Sequence, residues 1–326
     1  MGSTNTFNPI KITMFKINFV LTLTLLFIPL LNYAQYTDQI NSNRPGETMS
    51  AFAVGKSVIQ LETGAYGISQ KHHLLNYVTN GYGIDATIRY GMFKEKLEFI
   101  ADIQYQNQLY EASLITMDQK ALKQTILGAK YLLFDPFKNQ ENKVNVYSWK
   151  VDKSFKWKQL IPAVSVFAGA NITSANNPYH FSSKAGISPK VIFITQNHLG
   201  DGSWVFVTNT IADYIGTEFP SYGYAVTLTK GLNKNWSGFI ENQGYKSDFY
   251  SDLIVRSGAA YLVTEDLQLD VSASASLKNT PSIFYGGIGF SWRYDGNYQE
   301  IRTPIEEDVI NVKKEKIKKK KRFLIF

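Results

Sequence analysis

Twelve stretches of this 326-residue chain, most of ten residues or longer, alternate apolar and polar side chains, and that period limits the fold more than any other feature. Residues 267–277 (LQLDVSASASL) show it plainly. Leu267, Leu269, Val271, Ala273, Ala275 and Leu277 hold one set of alternate positions, and Gln268, Asp270, Ser272, Ser274 and Ser276 hold the other. Residues 97–106 set Leu97, Phe99, Ala101, Ile103 and Tyr105 against Glu98, Ile100, Asp102, Gln104 and Gln106. Residues 84–92 set Ile84, Ala86, Ile88, Tyr90 and Met92 against Asp85, Thr87, Arg89 and Gly91. Successive strand side chains point to opposite faces, so each segment makes a strand with one apolar and one polar face.

The strands are expected at 57–68, 82–93, 96–109, 122–134, 159–173, 188–198, 203–214, 222–231, 235–246, 252–263, 267–277 and 283–294. A soluble β-sandwich also alternates, but its strands peak near five or six residues. A tilted strand of a membrane barrel needs about 9–11 to cross the hydrocarbon. Twelve is an even number, as single-chain bacterial barrels require, and closure removes edges that lipid cannot solvate. The expected fold is therefore all-β: a transmembrane antiparallel up-and-down β-barrel of about 12 strands, of the bacterial outer-membrane type, spanning 57–295. A mean hydropathy of −0.18 fits a barrel, because every second residue faces its interior.

Connections alternate in length. Short turns fall at Lys94-Glu95, Gly200-Asp201-Gly202, Asn233-Lys234 and Glu265-Asp266, with longer loops expected at 69–81, 110–121, 174–187, 215–221, 247–251 and 278–282. Short turns belong on the periplasmic side, which puts both chain ends there. Residues 135–158 break the rule by being long on that side; Val144–Val151 could add a hairpin and raise the count to fourteen. Trp204, Trp236, Trp292, Tyr90, Tyr131 and Tyr261 all fall at the short-turn end, where an interfacial aromatic belt is expected.

Ahead of the strands, Lys11 and Lys16 precede the apolar run Phe19–Leu31 and then Asn32-Tyr33-Ala34. That is the pattern of a secretory signal over 1–34, with Met14 as an alternative start. Residues 35–56 form either a periplasmic lead-in, the preferred reading, or a plug folded into the lumen. Residues 296–326 form a periplasmic tail in which Lys313, Lys314, Lys316, Lys318, Lys319, Lys320, Lys321 and Arg322 make a candidate partner-binding run. Outside the leader and the lysine run, residues 35–312 hold 24 basic and 26 acidic side chains, so the net charge of +7 is local and gives no ground for a nucleic-acid partner.

Several stretches resemble the outer-membrane transporter family named for the meta-pathway of phenol degradation. They are Asn43-Arg44-Pro45-Gly46, Gln60–Gly64, Leu127–Tyr131, Phe239–Gly244, Leu267–Asp270 and the closing Gly289–Asp295. The similarity covers roughly residues 38–296 and implies a barrel with a transport role; it brings no established substrate site. The insertion at 135–158 and the tail after Asp295 depart from the family pattern.

On the polar faces stand Glu62, Asp85, Arg89, Glu98, Asp102, Lys130, Glu241, Arg256, Asp270 and Arg293, which become lumen-lining candidates because charge on the lipid face is costly. They line a solute path or form a salt-bridged filling; the mixed signs favour the filling. Zero cysteines exclude thiolate chemistry and a lipoprotein anchor. Of the four histidines, His180 and His198 have no clear serine partner, and the adjacent His72 and His73 make a weak metal site, so no enzyme activity, metal or cofactor is expected. The leading expectation is a passive outer-membrane transporter or channel for small solutes, hydrophobic or aromatic ones among them, of unknown identity. The alternative is a non-enzymatic accessory subunit of an envelope complex for secretion or barrel assembly. It would dock on envelope proteins or cell wall through the insertion and the lysine run.

Overall fold

The computed structural model describes residues 40–137, 157–180, 184–200, 202–248, 250–278 and 280–295. The leader, the lysine run and Val144–Val151 lie outside them. Twelve strands follow one another: β1 Val58–His72, β2 Tyr77–Gly91, β3 Leu97–Ala112, β4 Ile115–Phe134, β5 Ala163–Thr173, β6 Gly186–Leu199, β7 Trp204–Asp213, β8 Ser221–Gly231, β9 Trp236–Ser247, β10 Ser251–Thr264, β11 Leu267–Ser276 and β12 Ser282–Asp295. Each pairs antiparallel with its sequence neighbours, and β1 closes the ring on β12 from Val58↔Asp295 to Lys71↔Ser282.

Exposure decides between barrel and sandwich. In β1, Ile59 is 42% exposed while Gln60 and Glu62 are 1% and 2% exposed; in β11, Val271 is 50% exposed and Asp270 is 7%. Polar residues are buried and apolar ones face outward, the reverse of a soluble fold and the arrangement that lipid demands. Ile84, Phe99, Phe193, Leu228, Ile240 and Ile288 belong to this outer apolar surface.

The six belt aromatics lie on the outer face at one end. Tyr90 sits opposite Ile59, Trp292 opposite Leu61, Tyr131 opposite Leu97 and Tyr261 opposite Trp236, while Trp204 stacks under Lys230 at 4.6 Å.

Two expected loops are instead strand. β1 and β2 run on until only residues 73–76 connect them, and β3 and β4 until only 113–114 remain, in place of loops at 69–81 and 110–121. These stretches lose the apolar alternation, because beyond the hydrocarbon no face must be greasy. Pairing alone sustains the strands there, with Ser69 bonded to Asn80 at 2.8 Å, Gln70 to Tyr77 at 2.7 Å and Gln108 to Gln119 at 2.8 Å. Along this extension β4 pairs only with β3, since its pairing with β5 begins at Ile126↔Asn171. The β5–β6 connection covers part of that edge: Asn177 donates to the Leu122 carbonyl at 2.7 Å and the Tyr179 hydroxyl to the Gln119 carbonyl at 2.8 Å.

Candidate functional site: the barrel interior

All ten lumen candidates lie on inward-facing strand positions, and what most of them bond to is residues 40–56. This segment has neither helix nor strand, so its peptide groups must find partners in the barrel wall. Carboxylates accept its N–H groups: Glu62 from Asn43 at 3.2 Å, Glu241 from Glu47 at 2.9 Å and Thr48 at 3.2 Å, and Glu98 from Val54 at 2.8 Å. Cations donate to its carbonyls: Arg89 to Asn41 at 2.7 Å and Phe52 at 3.3 Å, and Lys130 to Ser50 at 2.7 Å and Phe52 at 2.9 Å. Carboxamides and hydroxyls complete the set. Gln196 accepts from the Ala51 N–H at 2.9 Å, Ser165 donates to the Ala51 carbonyl, and Gln268 donates to the Arg44 carbonyl at 3.2 Å.

The charges fall into three groups. In the first, Arg89 bonds Glu62 at 3.0 Å and Glu98 at 3.1 Å, and Lys130 bonds Glu98 at 2.7 Å. These four side chains are almost wholly buried, and two cations match two carboxylates, as burial of charge requires. The second group is built on Arg44 of the inner segment, which pairs with Asp85 and, at 3.2 Å, with Asp270. Gly64 and Gly289 face each other across the β1–β12 seam, and a Cβ on either would come within 2.3 Å of the Arg44 guanidinium, so the absence of side chains there makes its slot. In the third, Arg256 bonds Glu47 at 2.8 Å and lies 3.6 Å from Glu241. Enclosure within the barrel would by itself raise the Glu47 carboxyl, although one flank of it meets lumen solvent, but Arg256 outweighs this and holds the group below its usual range.

Two candidates stand apart. Asp102 accepts from Gln124 at 2.7 Å and Thr87 at 3.3 Å, and Arg293 pairs with Asp295 at 2.8 Å near the turn end. Toward that end the inner segment packs on apolar wall. Ala51 joins Ile100, Ile126, Phe167, Ile194 and Val207, and the Phe52 ring lies 6.2 Å from Phe137 and 5.8 Å from His198. His198 is thus an interior packing residue bonded to Gln196 at 3.0 Å. Among the described residues no three metal-ligating side chains gather.

Sequence reasoning did not single out Arg44 as a charge, Glu47, or the Gly64–Gly289 slot. The only signal was the Asn43-Arg44-Pro45-Gly46 run, whose charge is not on a strand. Lys123 was missed too. It is the extra residue of a β-bulge, skipped where Gln104 pairs with Gln124 and Tyr105 with Leu122.

Residues 42–294 match the family described as the MetA-pathway of phenol degradation. The chain belongs to that family. This member's fold is similar to that of an outer-membrane channel from Pseudomonas putida, at 12% identity over 78% of this chain and 100% of that one, with a TM-score of 0.51. The monoaromatic hydrocarbon channel CymD gives 10% identity over 74% and 90% with a TM-score of 0.40. The translocator domain of the autotransporter NalP from Neisseria meningitidis gives 8% over 74% and 89% with 0.42. Likeness at such identities concerns the barrel fold, and the last two scores are too low to bear on function. No curated protein matches the family member's sequence. Family and fold together make it a twelve-stranded barrel of the outer-membrane type.

Proposed function

We propose that the protein is a passive channel for small solutes across the outer membrane, closed at rest by residues 40–56 acting as a plug, with both chain ends in the periplasm. The observation that carries the reading is the continuous bonding of this irregular segment to strands on every side of the lumen, from Ser291 of β12 to Gln196 of β6. Beyond the backbone bond of Ile40 at its start, the segment is held through side chains, and such bonds can be exchanged without breaking the strand ladder. The orientation rests on the short turns, which belong to the periplasmic side, and the segment starts at that end, where the Ile40 N–H donates to the Glu265 carbonyl at 2.9 Å.

A reversible lock tests the plug. The chain has no cysteine, and the Thr48 and Thr227 hydroxyls are 2.8 Å apart, so a Thr48→Cys/Thr227→Cys variant can tie plug to wall. In planar bilayers the oxidised variant should stay closed, and reduction should restore the opening events of the wild type. Equal conductance in both redox states would exclude the plug. Orientation is checked in intact cells with an impermeant thiol reagent, which should label Leu114→Cys and spare Lys234→Cys.

A further inference from the structure

The carboxylate of Glu47 differs from the other ion-paired carboxylates that hold the inner segment. Glu62, Glu98, Glu241 and Asp270 are buried and Asp85 is partly so, whereas the Glu47 side chain is 56% exposed within the barrel, although its partner Arg256 is only 13% exposed. One flank of this ion pair is therefore open to the solution in the lumen. We propose that Glu47 stands in for a solute: a small organic monocarboxylate takes its place on Arg256, with Lys123 as the second cation, and so releases residues 40–56. This inference rests on the channel reading above.

Three features support an exchange of this kind. The first is the placing of Lys123. The bulge in β4 turns it into the lumen, where its ammonium lies 5.7 Å from the centre of the Tyr285 ring on β12, and among the described residues it makes no ion pair. Lys123 and Arg44 add to Arg256 in favouring the charged form of Glu47. The second is that Arg256 is never left bare. Glu241 lies 3.6 Å from the same Nη1 atom and retains part of the pairing while Glu47 leaves and a solute arrives.

The third is the transmission to the segment. Gly46 and Thr48 flank Glu47 and are fitted closely to the wall. A Cβ on Gly46 would come within 2.6 Å of the Glu241 carboxylate, and Thr48 bonds both Glu241 and Thr227. Movement of Glu47 away from Arg256 pulls on these contacts. Exchange is favoured over simple addition because Glu241, Asp85 and Asp102 already face this part of the lumen. A second carboxylate beside Glu47 would be repelled, whereas one that replaces it keeps the charge balance. A neutral solute has nothing to offer Arg256 and leaves the latch closed, since a ligand shifts an equilibrium only through its differential affinity for the two states.

The test uses the full-length protein in planar bilayers, with sodium benzoate as probe and sodium chloride or benzyl alcohol at matched ionic strength as controls. Benzoate is expected to raise the open probability about tenfold, and the controls to leave it unchanged. Glu47→Gln is expected to open without benzoate and to lose the benzoate increment. Arg256→Gln leaves two carboxylates without a cation and is vulnerable to misfolding, so Lys123→Gln serves as the second variant. Its fold is checked by the mobility shift of unheated barrel on gels, and it should need more benzoate for half-maximal opening. Equal responses to benzoate and benzyl alcohol, or a full benzoate response in Glu47→Gln, would overturn the proposal. The locked Thr48→Cys/Thr227→Cys variant separates the two readings. If oxidation closes the channel while benzoate never opens the wild type, the latch fails and the plug stands. If oxidation has no effect, both fail.

Discussion

Replacing Glu98 with leucine removes the acceptor on which the most buried part of the interior depends. Its Oε1 accepts from Lys130 at 2.7 Å and from Arg89 Nε at 3.2 Å, and its Oε2 accepts from Arg89 Nη2 at 3.1 Å and from the Val54 N–H at 2.8 Å. After the change Arg89 still has Glu62 at 3.0 Å and two carbonyls. Lys130 has only the carbonyls of Ser50 and Phe52, with no carboxylate, in a site from which water is excluded. Removing one partner of a buried ion pair costs about 3–5 kcal/mol, and Glu98→Leu is expected to fall in that range. Removing the orphaned cation as well should recover part of the loss, so Glu98→Leu/Lys130→Met should be less destabilised than the sum of the single changes by ~2–3 kcal/mol. The Val54 N–H stays orphaned in the double variant, which prevents full recovery. Urea unfolding of protein inserted in phosphocholine vesicles, followed by tryptophan emission, measures all four corners of the cycle. Additivity within about 0.5 kcal/mol would refute the coupled network.

Three further outcomes are expected. Ala101 is an outward position between Ile88 and Leu127, so Ala101→Arg should cost about 2–4 kcal/mol near the bilayer midplane; stability equal to wild type would refute the assignment of faces. Gly64→Ala should displace the Arg44 guanidinium and lower stability by ~1–3 kcal/mol more than Gly67→Ala, whose new Cβ meets nothing within 4 Å, and equal effects in the same unfolding assay would remove the slot. Because its folded-state carboxyl is held below the ordinary value of 4.5, Glu47 contributes stability that is present above that value and lost as pH falls through the lower folded one. The stability gap between wild type and Glu47→Gln should therefore persist at neutral pH and close on acidification, and a gap that widened in acid would contradict the Arg256 pairing.

The strands were legible because their signal is local: period-2 alternation needs only neighbours in the chain, and ten residues carry enough of it to recognise a crossing. Alternation alone makes two faces without saying which is inside; strand length and even number pointed to a barrel, and the exposed Ile59 and buried Glu62 bear that out. It is also silent outside the hydrocarbon, where 69–72 and 115–121 stay in strand through pairing with partners whose polarity no longer alternates. The list of interior charges could be read from the polar faces, but their partners could not. Arg44 meets Asp270 across 226 residues of sequence and Thr48 meets Thr227 across 179, contacts that exist only because β12 closes on β1 and encloses the segment between them. Lys123 shows the same limit at the scale of one residue. By parity with Lys130 it belongs to the lipid face, and only the bulge against Gln104 and Tyr105 turns it inward. The sequence by itself determined where the chain crosses and which residues are charged there. Closure of the ring decided which charges face one another, because that depends on register around the whole barrel and on a segment that has no periodicity to read.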